Sequence, residues 1–347
     1  MSHNILITGA SGYLGGTLLA RWTSARLPPY RKLYALVRND KQSEAVKQYG
    51  AEPVNLDISD HAALHETIVH HEITIVYFLI DALDSTHQVP MIKALGQVKA
   101  KTGKEVHFLH TTGAKLFSRH AGIPTDRPLL DTDPMLYELL KNAKSPHSIF
   151  DRPARANLTV IDTADAFGVK SYVFAPCLVY GQGEGFGNKI SIQDVAIVKA
   201  ALKLGNVYKV DTDNPIWPVC HVVDTIELYL QILRKILSGS EIGWGKNGFF
   251  LAASGSIHWN DVYEAMATAL AKRGVINSRR IAQADDEVLA KMGEALQVPP
   301  AIVQVHLGGK CLFTAEHGRV LGWKPHYPPE HILDAADAEV DLILRNL

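Results

Sequence analysis

A chain of 347 residues that is 47% hydrophobic and 20% charged carries enough apolar material for a large core, which excludes a disordered chain. Its 35 basic and 36 acidic residues leave a formal net charge of -1, so no charge excess marks a binder of nucleic acid or of an anionic membrane surface. Cys177, Cys220 and Cys311 lie far apart and outside any CxxC pattern, which reads as reduced thiols rather than a disulfide framework. The 16 histidines are scattered without converging carboxylates or thiolates, so no metal site is expected. The N-terminus lacks the basic and apolar regions of a secretory signal, and no apolar stretch reaches membrane-spanning length; a cytoplasmic protein is expected.

In chain order, short apolar runs rich in β-branched residues recur at 5–7, 33–37, 53–56, 73–79, 106–110 and 172–174. Segments of helical spacing separate them, such as Leu14, Leu18 and Trp22, or Leu158, Ile161 and Ala164 before Gly168. This alternation predicts an α/β fold with a doubly wound parallel sheet, its strands buried on both faces. From Gly181 the pattern changes to a glycine-rich loop, GQGEGFGN, followed by an apolar helix. A further sheet-like run, IWPVCHVV, precedes Asp224, expected to cap a helix whose apolar stripe is Ile226, Tyr229, Leu230, Leu233 and Leu237. Helices are predicted at Trp259–Lys272 and 285–296. The expected division is a dinucleotide-binding domain over residues 1–182, rejoined by 215–238, with 183–214 and 239–347 forming mainly a smaller substrate lobe.

The first strand runs into Gly9, Gly12 and Gly15, spaced G-x-x-G-x-x-G ahead of an amphipathic helix. A strand, glycines and a helix N-terminus in that order suit a pyrophosphate: the glycines permit a tight turn and close backbone approach, and the helix start, at Tyr13 and Leu14, offers unpaired N–H groups. Arg38 stands at the end of the second strand, where an NAD-selective site would place an acidic residue against the ribose 2′-hydroxyl. An Arg there attracts a 2′-phosphate, assisted by Ser11, so NADP(H) is preferred over NAD(H), which such a site also admits. Asp57 and Ile58, after the third strand, are placed to meet the adenine edge and face.

The segments TGASGYLGG, VRND, LDISD, HFLHTTGA, APCLVYGQGEG, PVCHVVD and LGWKP, taken together and in this order, resemble the short-chain dehydrogenase/reductase superfamily. The resemblance is to its extended and atypical members, grouped with NAD-dependent epimerases/dehydratases and NmrA-like proteins, and the later motifs look most like a fungal branch. It implies a Rossmann-like domain with a C-terminal substrate lobe, and it allows a homodimer. It further implies that Leu79, Thr111, Pro176, Leu178 and Val179 lie along the cofactor, and that His221 and Asp224 are structural. Active members use a Tyr-x-x-x-Lys pair on one helix face, the ammonium lowering the phenol pKa, with a Ser or Thr orienting the substrate oxygen. The match here is Tyr137 with Lys141, and Thr112 is the hydroxyl candidate. Pro146 and Pro153 follow the pair, however, and counting back from Pro176 puts the family's tyrosine position near Ser148 or Phe150. Tyr180 is the alternative proton donor. The expected function is an NADP(H)-dependent oxidoreductase acting on a small organic carbonyl or alcohol. The alternatives are a sugar-nucleotide epimerase/dehydratase and a non-catalytic, NmrA-like dinucleotide sensor.

Overall fold

The computed structural model describes residues 3–347. Its first half alternates strand and helix: β1 (Asn4–Ile7), α1 (Tyr13–Trp22), β2 (Lys32–Val37), α2 (Asp40–Lys47), β3 (Glu52–Asn55), α3 (His61–His70), β4 (Ile73–Phe78), α4 (Gln88–Thr102) and β5 (His107–Thr111). After α5 (Leu136–Asn142) and α6 (Asp151–Ala166), strand β6 (Lys170–Pro176) completes the predicted set. Successive strand residues point to opposite faces, and both faces are apolar. Ile5, Ile7, Ala35, Val37, Ile75 and Tyr77 join one core, whereas Leu6, Tyr34, Leu36, Val76 and Phe78 join another beneath α3, α4 and α6.

All strands of the main sheet are parallel, in the order β3-β2-β1-β4-β5-β6, with one more strand at the edge beyond β6. The order reverses between β1 and β4, and the crevice outside the carboxyl ends of those two strands is where such sheets take ligands.

Past β6 the chain leaves this sheet. β7 (Leu178–Tyr180) pairs in parallel with β8 (Ile216–His221) in a separate three-stranded sheet, reached through α7 (Gln193–Leu204). The expectation that 215–238 rejoins the first domain needs correction here. Strand β8 stays in the small sheet, and only α8 (Val222–Leu237) returns, with the Tyr229 ring stacked 3.6 Å from Phe174 and the Tyr77 hydroxyl donating to the Tyr229 carbonyl at 3.0 Å. The seventh strand of the main sheet is β9 (Phe249–Ala252), from the stretch assigned to the substrate lobe. Its four residues are all buried, too short a run to declare itself. Nor does Asp224 cap α8: the N-cap is His221, whose Nδ1 accepts from the Val223 N–H. The Asp224 carboxylate instead accepts the His326 and Tyr327 N–H groups at 2.8 and 2.9 Å, tying down the C-terminal segment.

β10 (Gly255–His258) pairs antiparallel with β8, and α9 (Trp259–Lys272), α10 (Asp286–Leu296), α11 (Pro300–Leu307), α12 (Glu316–Val320) and α13 (His331–Asn346) build the rest of the second lobe. Its apolar side chains are continuous with the α1 and α8 face of the main sheet, so the two lobes share one core. No helix among the described residues is long and apolar enough to cross a membrane.

Candidate dinucleotide and substrate site

The glycine loop sits in the crevice at the reversal point. Thr8 extends β1, its hydroxyl accepting the Leu79 N–H at 3.0 Å, and Gly9 then turns with φ +72°, where a Cβ would stand 2.7 Å from the Leu79 carbonyl oxygen. At Gly15 a Cβ would lie 2.2 Å from the Gly9 oxygen, so only glycine lets α1 approach its own loop. Gly12 is the N-cap of α1 and no side chain caps it, which leaves first-turn N–H groups and the positive end of the helix for an anion. This cradle fits a dinucleotide pyrophosphate.

Two cavities flank the loop and share Gly12 and Leu79 in their walls. The first, about 540 Å³, brings Gly9, Ser11, Arg38, Asp57 and Ile58 together with Gln42. Gln42 joins loop to strand end: its amide donates to Ser11 Oγ at 3.2 Å, and its Oε1 accepts the Arg38 N–H at 3.0 Å. Arg38 itself is exposed. The Asp57 carboxylate accepts the Ser59 N–H at 2.9 Å, which holds it below the usual range.

The second cavity, about 320 Å³, brings Tyr13, Leu14, Gly15, Thr112, Pro176 and Val179 together with Lys115 and Trp217. Thr112 Oγ1 is buried without a hydrogen-bond partner. Two expected residues are elsewhere: Thr111 shares a hydrogen bond with the Tyr229 hydroxyl at 2.8 Å, and Leu178 is wholly buried in the core.

The Tyr-x-x-x-Lys match does not reach this cavity. Tyr137 is buried on α5, where its hydroxyl donates to Asp162 Oδ1 of α6 at 2.6 Å. Burial and that carboxylate raise the phenol pKa, opposite to what a catalytic tyrosine needs. Lys141 lies 6.0 Å from the Tyr137 ring centroid, further than Lys246 at 4.5 Å. The break around Pro146 separates α5 from α6, so the helix leading into β6 starts only at Asp151, past the pair. Pro153 is accommodated in the first turn of α6, where no intrahelical N–H is required. Tyr180 is also displaced, fully buried with its hydroxyl bonded to His331 Nδ1 at 3.1 Å.

Sequence reasoning missed Lys115. It sits in the first 3-10 turn after β5, formed by Ala114–Phe117. Its Nζ donates to the Gly308 carbonyl at 3.0 Å and lies 3.8 Å from the centroid of a Trp217 ring. Burial pushes the ammonium down to about 7, against the pull of Cys311 and Asp211. The one available signal was a lysine just past a strand end facing the cofactor crevice.

The glycine-rich loop 181–188 lies directly on the phosphate loop. The Asn188 N–H donates to the Ser11 carbonyl at 2.9 Å, and the Tyr13 hydroxyl donates to the Gly181 carbonyl at 2.5 Å. A Cβ at Gly187 would stand 2.1 Å from the Ser11 oxygen, and one at Gly185 would stand 2.5 Å from Gly16 Cα. Beneath the loop, Glu339 accepts the Gly181 N–H at 3.0 Å and the Ser191 hydroxyl at 3.1 Å. Neighbouring Asp194 is buried with both carboxylate oxygens unpartnered. Burial first, and then the Glu339 charge, raise the Asp194 pKa well above the carboxylate range.

Known proteins share the fold and the family of this chain. The chain is 21% identical to a protein named oxidase ucsJ from Acremonium sp, over 95% of this chain and 94% of that one. Its fold matches UDP-glucose 4-epimerase of Thermotoga maritima (TM-score 0.64, 15% identity, 99% of each chain). It also matches dTDP-glucose 4,6-dehydratase of Bacillus anthracis, solved with NAD (TM-score 0.65, 13% identity, 99% of this chain and 97% of that one). The model of the NAD dependent epimerase/dehydratase family matches residues 5–243. The chain therefore belongs to the NAD-dependent epimerase/dehydratase family, enzymes of the nicotinamide-dinucleotide oxidoreductase type.

Proposed function

We propose that the protein is an NADP(H)-dependent oxidoreductase acting on the carbonyl or alcohol group of a small organic molecule. The observation that carries this reading is the pair of cavities meeting at Gly12 and Leu79, one ending at Arg38 and the other at Thr112 and Lys115. The phosphate loop between them suits a pyrophosphate, so the two cavities accommodate the two halves of a dinucleotide. Arg38 favours a 2′-phosphate, which a guanidinium grips through paired N–H groups.

The second cavity supports a small, mainly apolar substrate: Leu14, Ala114, Pro176, Val179 and Ile192 line it, and Lys115 is the sole charged side chain among its lining residues. A sugar nucleotide would bring a second diphosphate, for which one buried lysine is a poor match. The similarity to a protein named an oxidase also favours net redox turnover. When bound, the nicotinamide supplies or accepts the hydride. Thr112 orients the substrate oxygen with its otherwise unpartnered hydroxyl, and the apolar walls exclude water.

The test is a titration of the purified protein with NADPH and with NADH, followed by nucleotide fluorescence, in wild type and Arg38→Ala. Tighter binding of NADPH is expected, with Arg38→Ala weakening NADPH by roughly 10- to 100-fold, the value of a hydrogen bond to a charged group, and leaving NADH unchanged. Equal loss for both nucleotides would reject the 2′-phosphate role. NADPH oxidation in the presence of a carbonyl panel then separates an oxidoreductase from an epimerase, which shows no net oxidation, and from a dinucleotide-binding protein without turnover.

A further inference from the structure

The cavity wall holds a hydroxyl that can orient a substrate oxygen, yet neither Tyr137 nor Tyr180 lies there to exchange a proton with it. Three side chains lining the cavity carry titratable protons: the Tyr13 hydroxyl donates to the Gly181 carbonyl at 2.5 Å and the Cys177 thiol to the Ala252 carbonyl at 3.0 Å, which leaves the Lys115 ammonium. We propose that Lys115 is the proton-transfer residue of this site, in the role that a tyrosine has in the family. This rests on the oxidoreductase reading above.

The geometry supports that role in three ways. Lys115 and Thr112 both leave the carboxyl end of β5, three residues apart, and both line the same cavity as the start of α1. Nζ is held by the Gly308 carbonyl at 3.0 Å and by Trp217 at 3.8 Å, with a Trp259 ring at 5.5 Å. An ammonium has three N–H groups, so one hydrogen bond to Gly308 leaves donors for a substrate. The aromatic faces favour the charged form, whereas desolvation favours the neutral one.

The charged and titratable surroundings come from every packed segment. Asp211 accepts the Gly309 N–H at 2.6 Å and faces Arg119 at 3.7 Å. The Cys311 thiol is pushed above its usual range by burial. His120, held neutral by burial with a pKa of about 4, bonds the same Gly308 carbonyl at 3.1 Å. His306 is likewise lowered by burial and by the lysine. With the Cys311 thiol kept protonated by burial, the counter-charge for Lys115 comes from Asp211, which is spent partly on Arg119. The outcome, about 7 for Lys115, matches a group that must both give and take a proton near neutrality.

In the reducing direction the carbonyl carbon gains hydride from the reduced dinucleotide, the C=O π pair moves onto oxygen, and one Nζ–H proton of Lys115 passes to that oxygen. The alcohol results, Lys115 is left as the neutral amine, and solvent reprotonates it. Oxidation of an alcohol reverses each transfer.

Two readouts test this. Reductive methylation with ¹³C-formaldehyde labels the lysines of the folded protein, and the resonance missing from Lys115→Met reports Lys115 without any turnover. It should titrate near 7. In steady-state NADPH oxidation with an accepted carbonyl, wild-type kcat should fall as pH rises through that same value. Lys115→Arg, which keeps the charge but cannot release a proton, should lower kcat by roughly 10²- to 10⁴-fold, abolish that limb and leave NADPH affinity within about twofold. A Lys115 resonance titrating near 10, or an unchanged pH profile in Lys115→Arg, would overturn the role and leave the oxidoreductase reading standing. A wild-type protein that binds NADPH but oxidises it with no carbonyl would overturn that reading, and this role with it.

Discussion

Tyr137 and Asp194 show how residue type alone misleads about chemistry. Tyr137 has the right spacing to Lys141, but its hydroxyl is committed to Asp162 at 2.6 Å. Tyr137→Phe should therefore leave turnover within about twofold and cost stability only, by roughly 1 kcal/mol for one hydrogen bond to a solvent-exposed acceptor. Turnover assays and urea unfolding of the pair decide it; a large loss of kcat with unchanged stability would restore the tyrosine to the reaction. Asp194 reads as an ordinary acidic residue in a helix first turn, yet it is buried with no partner. Its folded pKa lies above the unfolded value of about 3.9, so the native state keeps a proton that the unfolded chain releases. Wild-type stability then falls as pH rises from that unfolded value to the folded one, and is level above it. Asp194→Asn has no proton to lose, so its Tm advantage should be smallest at pH 4 and widen as pH rises, in calorimetry from pH 4 to 8. A pH-independent difference would show that Asp194 is ionised in the folded state. Position at strand ends singles out Gly9, Arg38 and Asp57 in the sequence, and the three line one cavity. The sequence could not reveal Lys115 or Asp194, whose properties arise from burial by segments more than a hundred residues away, Gly308 and Glu339 among them.

At the scale of elements, strands buried on both faces were legible because each is a continuous apolar run, and β1 to β6 fall within two residues of their expected positions. Helix boundaries near proline were harder to place. Pro146 ends one helical region while Pro153 sits inside the next, because a proline is tolerated in a first turn and not further along. Strand β9 escaped because its four residues follow a glycine-bounded turn and pair with β6 only through tertiary contact. The contact between loop 181–188 and the phosphate loop is also an element-scale feature, built from backbone on both sides. Gly187→Ala would place a methyl 2.1 Å from the Ser11 oxygen, so the loops must part. We expect a stability loss of about 1–3 kcal/mol, the usual cost of overpacking, together with several-fold weaker NADPH binding. Thermal melts and the same fluorescence titration measure both, and an unaltered nucleotide affinity would show that the phosphate loop holds its shape without the neighbour.

For the whole molecule, one core running from α1 and α8 into the second lobe joins regions that the sequence divides into two domains. The cavity at Thr112 and Lys115 lies along that joint, with walls from α1, the turn after β5, β6, β7, α7 and β8. The backbone contact of Gly185 and Gly187 with the phosphate loop has a practical meaning for anyone redesigning the protein. A loop transplanted from a relative must arrive with hydrogen atoms, not methyl groups, at those two points, or it will push against Gly16 and Ser11. Under the proposed function, Ile192 and Gln193, which line the cavity a few residues further on, are the positions to vary for substrate preference while the graft junction is left alone.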